Sequence, residues 1–547
     1  MNESEKSNLA RILSLRWFIV AQVWAFVLAL PELVYVTQPT NRYFLHWSFD
    51  EWLVRISSVC AIGLVIYLLG LIVRAGKEET VLGIGGILGV LTVGFFLGKF
   101  ALVTWTSNRD LFYGYMPLIC VILLIVGVVF WRFKLSHREL GKFFSAVCTI
   151  FAPILLVYWG NLLLVPKYNQ GHDGTIESLQ MTQVTANGSA EPEEQNIYIF
   201  LLDGWPQRLT LNEDGKIDPR LENLAAFANE SCLLTDAHSP GCHTFVSVPR
   251  LLFQNTDQFV LNRGDTGFAS PEFQSTSELD SIFDQANRHG YQTYLVGWYH
   301  PYHTIFGDRI DFLKTVPYYN ELGSDFRQRV YAFYWRWGGK MLGQFARNTI
   351  GDEEIMRNYA MANQTHESVV FTSAILEQKQ QGQFAVFHLP VPHWPFCMDQ
   401  HGPKNLNVAY DRDSDQAALE QLIYTDGLLG EFVEILKQNG KYENSTIVLT
   451  SDHNWRTDPE LDKNDPEAVS HIPTLIKFAG QTEGTIVSGP FSTNFLSEFI
   501  FEKSTPQQQM DHLRRKIATK NFYTPLPKQE LDAKQLLRDA LNWSSKE

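Results

Sequence analysis

Chemistry gathers where apolar strands stop on charged groups. The run Thr446-Ile447-Val448-Leu449-Thr450-Ser451 leads straight into Asp452 and His453, and Asn196-Ile197-Tyr198-Ile199-Phe200-Leu201-Leu202 stops on Asp203 ahead of the turn residue Gly204. A carboxylate and an imidazole at the tip of a buried strand cost free energy unless something there uses both, and a divalent metal is the obvious user. In an open α/β sheet, ligands sit beyond the carboxyl ends of parallel strands, so the two tips can converge on one ion. Between them in sequence lies Gly241-Cys242-His243-Thr244-Phe245-Val246-Ser247-Val248-Pro249-Arg250. A Thr hydroxyl is a poor nucleophile until a metal lowers its pKa or a base takes its proton. Thr244, opening a helix beside an ion held by Asp203, Asp452 and His453, would be activated in that way, and the helix N-terminus would stabilise a bound phosphoryl group.

Each of these residues also has a plainer role. Asp452 and His453 can cap a turn, Asp203 can start one before Gly204, and Thr244 can serve as a helix N-cap. Of the other histidines, His393 is expected to contact the substrate phosphoryl or a second metal. His388 either touches substrate or is a satisfied buried imidazole. His471 divides evenly between a phosphoryl or metal contact and a structural role. His300 and His303, in Trp298-Tyr299-His300-Pro301-Tyr302-His303, either line an acceptor pocket or belong to an aromatic loop cluster. Arg250 and Arg456 can neutralise an anionic substrate, or be solvated arginines.

Positioning these groups falls to an alternation of helices and strands. Leu221, Leu224, Ala225 and Ala228 recur at helical spacing before a short strand, Cys232–Thr235. A helix face of Leu279, Ile282, Phe283 and Ala286 precedes the strand Gln292–Val296. The strand Phe384–Phe387 leads into His388, and a long helix through Leu422, Leu429, Phe432 and Leu436 ends at Asn439-Gly440 before the Thr446 strand. Such an order predicts a largely parallel sheet with helices on both faces. Cys232 and Cys242 are near enough in sequence to pair in an oxidising compartment, leaving Cys397 single.

The first third of the chain is different in kind. Five long apolar runs, near 17–36, 54–73, 80–104, 115–131 and 143–165, each approach the roughly 20 residues that cross a bilayer core. With no small-residue cleavage site and four runs following the first, a removable signal peptide is not expected. Lys6, Arg11 and Arg16 precede the first run, Arg74 and Lys77 follow the second, and Arg132, Lys134, Arg138 and Lys142 follow the fourth, which puts the N-terminus in the cytoplasm and everything after residue 166 outside. The expected organisation is a five-helix transmembrane domain (1–165), a polar linker (166–195), an extracytoplasmic α/β catalytic domain (196–525) and a C-terminal helical tail (526–547). A formal net charge of −14 argues against nucleic acid as a partner.

Taken together the motifs resemble the alkaline phosphatase superfamily, in its sulfatase and phosphoethanolamine transferase branches. There an acidic residue ends the first strand, a nucleophile opens a helix as Thr-x-x-Ser-x-Pro or Cys-x-Pro-x-Arg, and Ser-Asp-His follows a late strand. Thr244, Ser247 and Pro249 match the Thr form. Asp218-Pro219-Arg220-Leu221-Glu222-Asn223-Leu224-Ala225, Gly290-Tyr291-Gln292-Thr293, Pro392-His393-Trp394-Pro395 and His471-Ile472-Pro473-Thr474 resemble further sulfatase segments in the right order. Cys242 lacks the Pro and Arg that a formylglycine sulfatase needs. Asp203 stands where the phosphoethanolamine transferases usually carry Glu, and Asp452-His453-Asn454 with a short Trp455-Arg456 turn replaces their Asp-His-Gly and acidic loop.

The resemblance implies an alkaline-phosphatase-like domain with a central, mostly parallel sheet, in a monomeric multi-pass protein of the inner membrane with a periplasmic catalytic domain. It implies catalysis by Thr244 and His393, metal ligation by Asp203, Thr244, Asp452 and His453, and substrate contacts from His393, His471, His388 and His300. Mixed oxygen and nitrogen ligands suit zinc or manganese. The expected reaction moves a phospho-substituent such as phosphoethanolamine from a membrane lipid donor to a glycan or lipid-linked acceptor through a phospho-Thr intermediate. The alternatives are a phosphate or sulfate ester hydrolase and a non-catalytic membrane scaffold.

Overall fold

Side-chain alternation along the strands decides how the central sheet is clothed. A computed structural model describes residues 17–26, 29, 49–74, 174–182, 195–254, 260–261, 268–269, 279–316, 330, 333–334, 353–404, 406–407, 411, 413–519 and 521–532. The chain divides into two units.

The first unit holds helices α1 (Trp17–Phe26) and α2 (Phe49–Arg74). Within α2, Trp52–Gly70 is the one stretch among the described residues that is long and apolar enough to cross a membrane. The Trp17 indole donates to the Tyr67 carbonyl at 3.3 Å, and it fits because Gly70 has no Cβ, which would come within 2.1 Å of the ring. Both helices fall on the first two expected spans. The spans expected at 80–104, 115–131 and 143–165 lie outside the described residues.

The second unit begins with α3 (Ile176–Thr182), a helix inside the stretch expected as a linker. Its Leu179 is buried with Tyr198, Phe200 and other residues on one face of the central sheet, so apolar contact overrides the local polarity that suggested a tether. There follow β1 (Asn196–Asp203), α4 (Glu222–Ala228), β2 (Cys232–His238), α5 (Thr244–Phe253), α6 (Ile282–Arg288), β3 (Gln292–Trp298) and β4 (Phe312–Val316). The remainder comprises α7 (Glu353–Leu376), β5 (Gln383–Pro392), α8 (Asp415–Gln438), β6 (Ser445–Ser451), β7 (His471–Lys477), β8 (Thr485–Val487), β9 (Phe491–Ser492) and α9 (Pro506–Ala518). These nine strands form one sheet in the order β8-β2-β7-β6-β1-β5-β3-β4, with β9 also on β2. All pairings are parallel except those that β7 makes with β6 and β2. The expected α/β domain with a mostly parallel sheet is therefore present.

Central strand β1 is buried along its whole length, as a strand covered on both faces must be. Ile197, Ile199 and Leu201 enter one core with α5, α6 and α9, whereas Tyr198, Phe200 and Leu202 enter the other with α4, α7 and α8. Helix boundaries follow local chemistry. Ser281 and Asp284 form a capping box at the start of α6, and α8 stops at Asn439 before Gly440, whose φ of +63° continues no helix. The possible Cys232–Cys242 pairing does not form: both cysteines are buried and neither is in a disulfide. Strand β2 lies between them and rises about 3.3 Å per residue, which carries the two far apart. Beyond residue 525 a short 3₁₀ helix, Lys528–Leu531, is described, and 533–547 lie outside the described residues.

Candidate functional site

Register brings the two strand tips together. Leu202 pairs with Ser451, so the next residues, Asp203 and Asp452, emerge side by side at the carboxyl end of the sheet. On the other flank the β1–β5 register shifts after Leu202, and Asp203 faces Pro392 instead of the residue after Leu389. This irregularity delivers His393 to the same edge. Gln421 of α8 holds the loop by donating to the Pro392 carbonyl at 3.0 Å and to that of His393 at 2.6 Å. Gly204 has φ +64°, and a Cβ there would press on His393 and His453 at 3.3 and 3.5 Å.

Thr244 is the first residue of α5, with His243 as N-cap in extended backbone. Its hydroxyl donates to Asp203 Oδ2 at 3.1 Å and lies 3.2 Å from His453 Nε2. His453 donates Nδ1–H to the Asn454 carbonyl at 2.7 Å, which leaves Nε2 as a lone-pair nitrogen facing inward. Asp452 accepts the Gly204 amide on Oδ1 at 3.0 Å, and its Oδ2 lies 3.4 Å from His453 Nε2. Asp203, Asp452 and His453 offer ligand atoms that all lie within 4.8 Å of one another.

Electrostatics here oppose an empty cluster. Burial, then the nearby Asp452 charge, drives the Asp203 carboxyl well above its ordinary pKa. Burial also works against the Asp452 carboxylate, but the neighbouring His453 and His388 and the Gly204 amide outweigh it and hold this group low. Two carboxylates this close cannot both ionise without a compensating cation. Desolvation pushes His453 down to about 3, the neutral form a metal requires. Asp203 Oδ1 and Asp452 Oδ2 are buried with no hydrogen-bond partner among the described residues. Orphaned carboxylate oxygens beside an inward imidazole nitrogen fit a divalent cation held by Asp203, Asp452 and His453, with Thr244 Oγ1 adjacent.

The remaining histidines separate. His393 Nε2 lies 3.7 Å from Asp203 Oδ1, and its partly exposed side chain lines the mouth of the site. His388 lies within β5 and is not in a loop after it, because the strand continues to Pro392. There its Nδ1 meets the Tyr302 hydroxyl at 2.7 Å, and Nε2 points to Asp203 Oδ2 at 3.5 Å. Burial lowers its pKa to about 4. His388 thus backs the carboxylate and does not line the mouth. His300, expected at an acceptor pocket, is buried behind α5 with Nε2 2.9 Å from the Thr244 carbonyl. His471 stands apart from the cluster: its Nε2 is 3.0 Å from the Thr235 carbonyl and its ring stacks on His238 at 5.2 Å. Antiparallel pairing of β7 with β2 turns it that way.

Over the cluster opens a cavity of about 440 Å³. Its wall includes Trp394, Trp455, Arg456 and Lys463, together with Leu531 of the C-terminal 3₁₀ helix. Of these, only Arg456 carried a chemical expectation from the sequence. Tyr302 carried no expectation from the sequence, although it sits in the same aromatic run as His300 and His303.

A family model described as Sulfatase matches residues 195–502, more than half of the chain. No curated protein matches the sequence. Among solved structures, similarity extends to a protein in the alkaline phosphatase superfamily from Vibrio parahaemolyticus, at 13% identity over 62% of this chain and 78% of that one, TM-score 0.35. The phosphonate monoester hydrolase of Agrobacterium radiobacter matches at 15% identity over 56% and 72%, TM-score 0.35. The lipoteichoic acid synthase LtaP from Listeria monocytogenes matches at 13% identity over 59% and 76%, TM-score 0.31.

Proposed function

We propose, for a chain that belongs to the sulfatase family of the alkaline phosphatase superfamily, a phosphoryl-type transfer in which Thr244 becomes transiently esterified. It is an enzyme of that superfamily, and the finer reading rests on one observation. The Thr244 hydroxyl is buried, opens a ten-residue helix, and lies within 3.2 Å of both Asp203 and His453. Cys242, the residue a formylglycine sulfatase would need nearby, instead directs its thiol to the Pro466 carbonyl. That contact favours the Thr nucleophile.

Asp203, Asp452 and His453 would hold a divalent metal, zinc or manganese by the character of the donors. When bound, it would supply Lewis acidity to the phosphoryl oxygens and lower the Thr244 pKa. Asp203 Oδ2 orients the Thr244 hydroxyl and is placed to accept its proton. The Thr244 oxygen forms a bond to phosphorus as the bond to the leaving alcohol breaks in line, and the positive end of the α5 dipole stabilises the charge. His393, at the mouth, is placed to protonate the leaving oxygen and then to take a proton from the incoming hydroxyl or water, which releases Thr244.

The apolar α2 supports membrane attachment. With the charge pattern of the loops, it favours a multi-pass inner-membrane protein whose catalytic domain faces the periplasm. The substrates would then be a lipid headgroup phosphodiester such as phosphatidylethanolamine as donor and an envelope glycan or lipid-linked sugar as acceptor, handled by a monomer. Family membership favours a second reading, a phosphate or sulfate ester hydrolase in which water completes the cycle. Supplying vesicles with candidate glycans and weighing products by mass spectrometry separates transfer from hydrolysis. Thr244→Ala tests the core of the proposal: full retained phosphodiesterase turnover ends it.

A further inference from the structure

The mouth of the cavity is built unlike its floor. Asp203 and Asp452 lie beneath, fully buried, while no carboxylate is among the described residues lining the wall. In a chain of net charge −14, the wall presents two cations, Arg456 and Lys463. A phosphodiester carries a single negative charge, which the floor and the α5 N-terminus already address. The wall cations therefore exceed what the reacting group needs.

Arg456 is also held in place by a directed relay. His243 Nε2 meets the Leu531 carbonyl at 3.2 Å, and a carbonyl can only accept, so Nε2 carries the proton. His243 Nδ1 is consequently an acceptor, and Arg456 Nη1 donates to it. A guanidinium has five N–H donors, and this bond uses one. Leu531 and Arg456 both line the cavity, so the relay ends at the mouth.

We propose that Arg456, oriented by His243 and the Leu531 carbonyl and assisted by Lys463, binds a second anionic group on the substrate's non-reacting arm. The substrate class is a phosphodiester whose far end bears a phosphate or carboxylate, which narrows the donor away from phosphatidylethanolamine, whose headgroup arm ends in an ammonium, to a lipid headgroup with an anionic arm. Arg456 acts as a specificity residue and His243 as its positioning residue. This rests on the phosphodiester reading of the same site.

The test uses the full-length protein and two chromogenic diesters: 4-nitrophenyl ethyl phosphate, and the analogue whose ethyl arm ends in a phosphate. The parent should prefer the phosphate-ended substrate through KM. Arg456→Gln should collapse that preference by roughly 10- to 100-fold, the range of a lost charge-assisted hydrogen bond. Arg456→Lys should keep part of it. His243→Leu should weaken the preference in the same direction, and the double variant should lose no more than Arg456→Gln alone, because the two act as one unit. An unchanged preference in Arg456→Gln, or strictly additive losses, overturns the inference. Thr244→Ala distinguishes failures: turnover surviving there sinks the nucleophile reading, whereas an inactive Thr244→Ala with an unaltered preference in Arg456→Gln sinks only the wall.

Discussion

The two ends of the central strands bury polar groups in opposite ways. At the amino end, Gln383 is a hub: its Oε1 accepts from Tyr198 Oη at 2.7 Å and Lys441 Nζ at 2.8 Å, and its Nε2 donates to Gln378 at 2.9 Å. Asn196 joins the same network through the Gln383 amide at 3.1 Å and Gln381 at 2.6 Å. Every member has a partner. At the carboxyl end, Asp203 Oδ1 and Asp452 Oδ2 are equally buried and have no hydrogen-bond partner among the described residues. One end of the same strands satisfies its buried polar groups, and the other leaves carboxylate oxygens facing a candidate metal site.

This contrast predicts opposite responses to substitution. Asp203→Asn and Asp452→Asn should each cut phosphodiester turnover by roughly 10³-fold or more, because each weakens the ligand set and the first also removes the group that orients Thr244. In chelator the same variants should melt no lower than the parent, since like-charge repulsion is relieved; a clear loss of metal-free stability would erase the contrast. Gln383→Ala should cost about 3 kcal/mol by denaturant titration, because it strands Tyr198, Lys441 and Gln378 at once. Activity per folded molecule should be unaffected.

Adding zinc or manganese to metal-free protein should raise its melting temperature, by about 2.7 kcal/mol of stability at a hundredfold excess over Kd. Asp452→Asn should respond much less, and Gln383→Ala should respond as fully as the parent. The smallest effect concerns Lys441, whose pKa burial lowers to about 8. Below pH 8 the folded state must carry that charge in a buried setting, so its cost is present in full. The cost fades as pH rises from about 8 toward the unfolded value of about 10.4. Melting curves at pH 7.5 and 9.5 should therefore show a relative gain in the parent that Lys441→Met lacks.

Much of the carboxyl end was legible in sequence because each element announces itself locally. A β-branched run ending on Asp-His, a run ending on Asp-Gly, and a Thr opening an apolar helix are short patterns, and strand order then brings them together. The histidines were less legible because their roles depend on register. His388 lies in the strand and not after it only because β5 continues to Pro392, and His471 turns to Thr235 through an antiparallel pairing that no local pattern encodes. Cys232 and Cys242 are close in sequence, but an extended strand runs between them. The amino-end network joins Asn196, Gln383 and Lys441, residues separated by up to 245 positions, and nothing in their flanking sequence marks them.

The central claim is that the unpartnered end of the sheet exists to turn the Thr244 hydroxyl into a nucleophile. Its most direct test is tandem mass spectrometry of metal-loaded protein quenched in acid during turnover of 4-nitrophenyl ethyl phosphate. An ethylphosphoryl adduct should appear on Thr244 and be absent from Asp452→Asn. Steady turnover with Thr244 unmodified, or the adduct on another residue, would contradict it.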